Sequence, residues 1–243
     1  MKLSIILVNY KTKNLLQNCI KSIKSKYSYE IIVLNNSPEE NLVSIRKINH
    51  RVKIIENKEN IGFAKACNKG VDKAKGEYVM LLGTDTIILN NSIDKLILFL
   101  EKNKDYCVVS PQLLNKDKTI QNSLREFPTL HNVFMEFIKR GSYKIDIKFH
   151  ERSKEVIQPQ ATCILIRKEL PEIYGLFDER FPLYFNDVDF FKKLSVNHIK
   201  TYYLVSAKVI HLYGKSTKTL NSIQRHYLLY TGYFRYIRKW GAS

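Results

Sequence analysis

Two acidic spots in the chain combine residue types and settings that could do chemistry. Asp85 comes directly after an apolar run in GEYVMLLGTDT, residues 76–86. If that run is a buried strand of a parallel sheet, the carboxylate sits where a divalent cation can be held against a diphosphate. The plainer reading is an Asp in a turn or ahead of a helix. The second spot is Asn186-Asp187-Val188-Asp189, after the aromatic segment FPLYF. A carboxylate at a helix start beside a pocket serves as a general base, whereas helix capping would account for Asp187 or Asp189 taken singly. Other chemistries lose their signatures. The sequence has no Gly-x-Gly-x-x-Gly or Walker loop, no Gly-x-Ser-x-Gly turn and no His-Glu-x-x-His motif. Cys19, Cys67, Cys107 and Cys163 lie far apart without a Cys-x-x-Cys pair, which argues for buried reduced thiols of a cytosolic protein.

The elements that must position these residues follow from periodicity. Apolar runs predict strands at Leu3–Val8, Ile31–Leu34, Val52–Glu56, Tyr78–Leu82 and Cys107–Ser110. Helical spacing predicts Asn14–Ile23, Phe63–Ala74 and a helix from Ser92 to about Lys102. This alternation implies an α/β fold with a mainly parallel sheet flanked by helices, whose ligands bind at the carboxyl ends of the strands. Those ends carry Asn9-Tyr10, Asn35-Asn36-Ser37 and Gly83-Thr84-Asp85. In the second half, Asp117–His150 reads as loops and short helices broken by Pro128 and Gly141. Strands follow at Ala161–Ile166 and Thr201–Val205, and helices at Asp187–Leu194 and Asn221–Lys239. The last helix is amphipathic, with Ile223, Tyr227, Tyr230, Phe234 and Ile237 in one stripe.

Composition narrows the function classes. Of the 243 residues 44% are hydrophobic, enough for a packed core and too many for a disordered chain. No run approaches the roughly 18 apolar residues of a membrane span, and MKLSIILVNY does not read as a signal peptide. The expectation is a soluble protein, or one attached to a membrane surface. The formal charge is +17, and beyond Asp189 there are ten Lys or Arg and no Asp or Glu. That asymmetry favours an anionic partner over a merely solvated basic face. Nucleic acid is set aside: no nucleic-acid motif is present, and the C-terminal aromatics follow the apolar stripe rather than interleaving with basic residues. An anionic membrane surface remains, against the alternative that the stripe packs on the rest of the protein.

Eight segments, in order, carry a resemblance: VNY (8–10), EIIVLNNS (30–37), NIGFAKACNKG (60–70), GEYVMLLGTDT (76–86), QNSLREFPTL (121–130), CILIRKE (163–169), GLFDERFPLYFNDVDF (175–190) and HLYGKS (211–216). The chain resembles family 2 glycosyltransferases, in particular their rhamnosyltransferase-like branch. The resemblance implies a GT-A type, Rossmann-like fold and inverting transfer of a hexosyl or deoxyhexosyl unit from a nucleotide sugar, UDP- or dTDP-linked. The acceptor would be a glycan or lipid-linked glycan of bacterial surface polysaccharide synthesis, reached from the inner face of the cell membrane. It divides the chain into a nucleotide-sugar-binding half (1–115), an acceptor-binding and catalytic half (116–215) and a basic aromatic C-terminal helix (216–243). Carried over residue by residue, Tyr10, Asn35, Asn60, Gly62, Asn68, Thr84 and Asp85 would bind the donor. Asp85 and His211 would hold a divalent cation, Mn²⁺ or Mg²⁺, and Asp187 would be the catalytic base. Three positions depart from the family pattern: Asn35 and Asn186 stand where Asp and Glu are usual, and Gly83 where Asn or Asp begins the metal motif. A catalytically weak or dead sugar- or nucleotide-binding relative is the alternative.

Overall fold

The first apolar run forms β1 (Leu3–Asn9), and its alternate residues enter opposite faces of a sheet. Leu3, Ile5 and Leu7 join one core layer, and Ile6 joins the other. The structure, a computed structural model, describes residues 1–129, 146–212 and 222–241. After β1 come α1 (Lys13–Ser22), β2 (Tyr29–Asn35), α2 (Val43–Arg46), β3 (Val52–Glu56), α3 (Phe63–Asp72) and β4 (Tyr78–Leu82). Then follow β5 (Thr86–Leu89), α4 (Ser92–Lys102), β6 (Tyr106–Leu114) and β7 (Leu124–Arg125). A 3-10 turn (Ile147–His150) leads to β8 (Lys154–Val156), β9 (Gln158–Pro159), β10 (Cys163–Arg167) and α5 (Glu169–Tyr174). The chain continues through α6 (Asn186–Val196), β11 (Lys200–His211) and α7 (Ser222–Trp240).

Among the described residues the main sheet has nine strands in the order β3-β2-β1-β4-β10-β6-β11-β5, with β8 also paired to β11. The strands β1, β2, β3, β4, β6 and β11 run in one direction, and β5, β8 and β10 run against them. This is the mainly parallel, helix-flanked α/β sheet that the sequence pattern implies. Residues of α1, α2 and α4 fill the layer on one face; residues of α3, α5 and α6 fill the other. The strand order turns back at β1, with β2 on one side and β4 on the other. Because α1 and α3 cover opposite faces, their departures leave a crevice at the carboxyl ends of β1 and β4. Gly70 lets α3 lie close to the sheet there: a Cβ would come within 2.6 Å of Ile6 Cγ2 and 2.8 Å of Leu34 Cδ2.

Some elements differ from the periodicity reading. β11 runs to His211 rather than stopping near Val205, because its register against β6 shifts between Leu204 and Lys208 and the alternation breaks at that irregularity. β5, too short for a periodic signal, is held as an edge by β11. The segment around Gly141, residues 213–216 and Asn221 lie outside the described residues. Cys19, Cys67, Cys107 and Cys163 are free thiols, the first, second and last of them buried. No helix among the described residues is long and apolar enough to cross a membrane.

Candidate functional site

The parallel strands end in a hydrogen-bonded row of polar side chains. Asn9, Asn35 and Glu56 are register partners across β1, β2 and β3. Asn9 donates to Asn35 Oδ1 at 2.9 Å and to Glu40 at 2.8 Å, and Asn35 donates to Glu56 at 2.7 Å and to the Glu40 carbonyl. Asn35 Oδ1 also accepts from the Ser37 N–H. An Asp here would lose both donations and bring its charge beside two carboxylates, so the Asn at this position fits its surroundings. Asn36, next along, donates to Asn60 and the Gly62 carbonyl and accepts from Asn57, which accepts from Lys69.

A cavity of about 210 Å³ opens above this row, lined by Tyr10, Thr12, Asn36, Asn60, Gly62, Thr84 and Asp85 among others. That volume is below the ~300–1,000 Å³ of a complete small-molecule site, so a ligand of that size would have to extend through its mouth. Pro182 and Leu183 form one wall and Leu228 of α7 contributes to another. Gly62, at φ 84°, brings the start of α3 against the Pro182 carbonyl, which accepts from the N–H groups of Phe63 at 2.9 Å and Ala64 at 3.3 Å. Two residues expected on the donor side lie elsewhere. Asn35 sits beneath the cavity, fully buried, and Asn68 ties α3 to the Phe177 backbone through both its amide atoms. Asn36, Thr12, Pro182, Leu183 and Leu228 line the wall without a specific sequence signal beyond strand-end position for Asn36.

Asp85 and His211 meet at the cavity edge, both almost entirely buried, with Asp85 Oδ1 3.6 Å from His211 Nε2. His211 Nδ1 lies 2.6 Å from Gln121 Oε1, while Gln121 Nε2 donates to the His211 carbonyl. An amide oxygen can only accept, so the Nδ1 proton belongs on that bond, and Nε2 is the ring nitrogen turned to Asp85. This is the supporting arrangement of a metal-binding His, whose other ring nitrogen is held by an acceptor. Among the described residues no cluster of three or more His, Cys, Asp or Glu converges. Gly83 adds no ligand, and a Cβ there would come within 3.0 Å of Asp85 Oδ1. Two protein ligands suit a cation whose remaining partners are water and substrate phosphates.

Backbone bonds link Asp187 to the segment that carries Asp85. The Ala161 N–H and the Val188 N–H donate to the Asp187 carboxylate, and the neighbouring Thr162 carbonyl accepts from the Gly83 N–H at 2.8 Å. Burial pushes the Asp187 carboxyl above the usual range, and the two N–H groups only partly offset it. Asn186 spends its amide on the Leu183 carbonyl at 2.7 Å, holding the cavity wall with a bond that a Glu could not donate. Asp189 has a different task. It is fully buried and accepts from Trp240 Nε1 at 2.7 Å and Lys239 Nζ at 2.8 Å, anchoring α7 to α6. Lys239 also pairs with Asp178 at 2.9 Å, and Arg235 donates to the Arg180 carbonyl.

Comparison with known proteins bears on the fold and the family. The chain is 33% identical over 106 residues to an uncharacterised glycosyltransferase of Haemophilus influenzae, covering 41% of this chain and 33% of that protein, so it spans a third of that relative's length. It is 26% identical over 192 residues to the low-salt glycan biosynthesis hexosyltransferase Agl10 of Haloferax volcanii, covering 77% of this chain and 60% of the relative. The crystal structure of GalNAc-T7 with UDP, GalNAc and Mn²⁺ superposes with a TM-score of 0.65 at 16% identity, covering 87% of this chain and 43% of that one, a likeness of fold. Residues 4–172 match the model of Glycosyl transferase family 2, and with a GT-A type sheet beneath its strand-end cavity the chain belongs to that family.

Proposed function

We propose that the chain moves a hexosyl or deoxyhexosyl unit from a UDP- or dTDP-linked donor to a hydroxyl of a glycan or lipid-linked glycan, with inversion, in bacterial surface polysaccharide synthesis at the inner face of the cell membrane. One arrangement carries this reading: Asp187 accepts from the Ala161 N–H, and the carbonyl of the next residue, Thr162, accepts from the N–H of Gly83, two residues before the cavity-lining Asp85 that meets His211. The acceptor oxygen attacks the anomeric carbon as the bond to the diphosphate breaks, and its proton passes to the Asp187 carboxylate. Burial makes that carboxylate a stronger base than a solvated one. The cavity would take the nucleoside, with Tyr10, Asn36, Asn60 and Thr84 as its polar contacts. Asp85 and His211 would hold Mn²⁺ or Mg²⁺, which supplies positive charge for the departing diphosphate. The name of the Haloferax relative, a hexosyltransferase of glycan biosynthesis, supports the substrate class.

Gly83 and Asn186 favour a second reading, since Gly83 offers no side-chain ligand and Asn186 no carboxylate; a relative that binds donor without turning it over would keep the same cavity. A panel of nucleotide sugars separates the two. Thermal stabilisation by one donor, with turnover that Mn²⁺ or Mg²⁺ raises and chelator removes, supports transfer. Stabilisation without turnover under any acceptor or metal condition supports the binding-only relative.

A further inference from the structure

Three residues of the apolar stripe of α7 stand exposed, while Tyr230 is at the margin and Ile237 is partly buried. Ile223 is 81% exposed, Tyr227 66% and Phe234 69%. At about 100° per residue these three fall within roughly 40° of one another around the helix. The opposite side faces inward: Gly232, Tyr233 and Tyr236 are buried, and Phe185 lies against both tyrosine rings. Contact is close enough that a Cβ on Gly232 would meet Phe185 Cδ2 at 2.9 Å. The Asp189 bonds to Lys239 and Trp240 hold the helix end. The helix is therefore fixed with an apolar face turned to solvent, against the usual arrangement of an amphipathic helix on a soluble domain.

We propose that this face of α7 docks in the plane of an anionic lipid bilayer. It deepens the membrane-surface part of the function proposed above and stands apart from the transfer chemistry. Charge decides the occupant. Arg235 and Arg238 are exposed on the flank of the stripe, and the chain beyond Asp189 carries ten Lys or Arg and no acidic residue. A second copy would bring the same arginines and another +17 against this face, whereas an anionic surface attracts them. The helix is not apolar enough to span the bilayer, so it lies at the interface. Leu228 of the same helix lines the cavity, so a bilayer on the outer face sits one helix thickness from the proposed donor site.

The test is co-sedimentation of the whole chain with vesicles of phosphatidylglycerol and phosphatidylcholine, and of phosphatidylcholine alone. Binding is expected to the anionic vesicles, to fall steeply with salt, and to weaken at least about tenfold in the Ile223→Ser, Tyr227→Ser, Phe234→Ser variant. Arg238→Glu should weaken it as well; Arg238 is the cleaner basic probe, because Arg235 is engaged with the Arg180 carbonyl. The altered side chains are exposed, so melting temperature and donor turnover in solution should be unchanged. No sedimentation at low salt, equal binding by the serine variant, or equal binding to neutral vesicles would each overturn the proposal. So would a dimer in light scattering that the serine variant dissolves. Failure here with donor turnover intact would leave the transferase reading standing.

Discussion

The two carboxylates of the FNDVDF segment lie two positions apart on one helix in different surroundings, Asp187 beside backbone N–H groups and Asp189 bonded to Trp240 and Lys239, which makes the proposed base separable from the anchor by mutation. Asp187→Asn keeps the shape and the backbone N–H contacts available but removes the base. Transfer should fall by about 10²–10⁴-fold, with donor affinity and melting temperature nearly unchanged. In the wild type the acid limb of kcat should lie above the usual carboxylate range, because burial raises the Asp187 carboxyl. Loss of that limb's position in no variant but Asp187 would identify the group; an activity above about a tenth of wild type in Asp187→Asn would remove it from the role. Asp85→Ala should weaken donor binding strongly in Mn²⁺ or Mg²⁺ and little in chelator, as read by calorimetric titration. Equal losses in both would show that Asp85 does not act through a cation.

At the scale of elements, α7 adds Leu228 to the cavity wall and is held at its end by Asp189. Asp189→Asn leaves Lys239 facing an amide and breaks one partner of a buried ion pair, a loss of about 1–3 kcal/mol. The expected readout is a lower melting temperature and faster proteolysis within α7, with kcat changed far less than in Asp187→Asn. A collapse of kcat at unchanged stability would instead make Asp189 the base. The elements themselves were largely readable: β1 to β4, α3, α4 and α6 follow from apolar runs and helical spacing, since each buries a continuous face. What periodicity could not read is partnership. The same spacing that marks Ile223, Tyr227 and Phe234 as an apolar face would mark a buried one, and only the contacts of Gly232, Tyr233 and Tyr236 say which side is inside. The places of Asp85 after a strand and of Asp187 in the first turn of a helix were legible, because the apolar runs beside them fix both element boundaries. The removal of Asn35 and Asn68 from the cavity wall was not, because their amides are claimed by residues distant in sequence, Glu56 and Phe177.

For the whole molecule, pH should act through a buried histidine that belongs to no catalytic step. His150 is fully buried, and its Nε2 accepts from the N–H groups of Ser123 at 3.1 Å and Leu124 at 3.0 Å. Burial is the main cause that lowers its pKa, so the fold favours the neutral ring. The unfolded state then binds the proton first. Stability from this residue is complete above about pH 6.5 and is lost as pH falls towards the lowered value of the folded state. Asp178, held below the usual range by Arg180 and Lys239, loses its contribution only at far lower pH. Chemical denaturation between pH 7 and pH 5 should show the first decline, and His150→Gln should flatten it; a profile unchanged by that substitution would assign the decline elsewhere.

The position of β10 between β4 and β6 also has a consequence for biosynthesis. β6 is complete at Leu114, yet its neighbours β10 and β11 are made later, and among the described residues β5 pairs only with β11. At about 5–20 residues per second, the stretch from Leu114 to His211 takes roughly 5–20 s to emerge. Through that interval the open side of β4 and the apolar residues of β5 and β6 have no sheet partner, which is the exposure that chaperones cover and that seeds aggregation. A fragment ending at Asn115 should therefore be recovered in inclusion bodies, while one reaching Leu212 closes the sheet and should partition towards the soluble fraction.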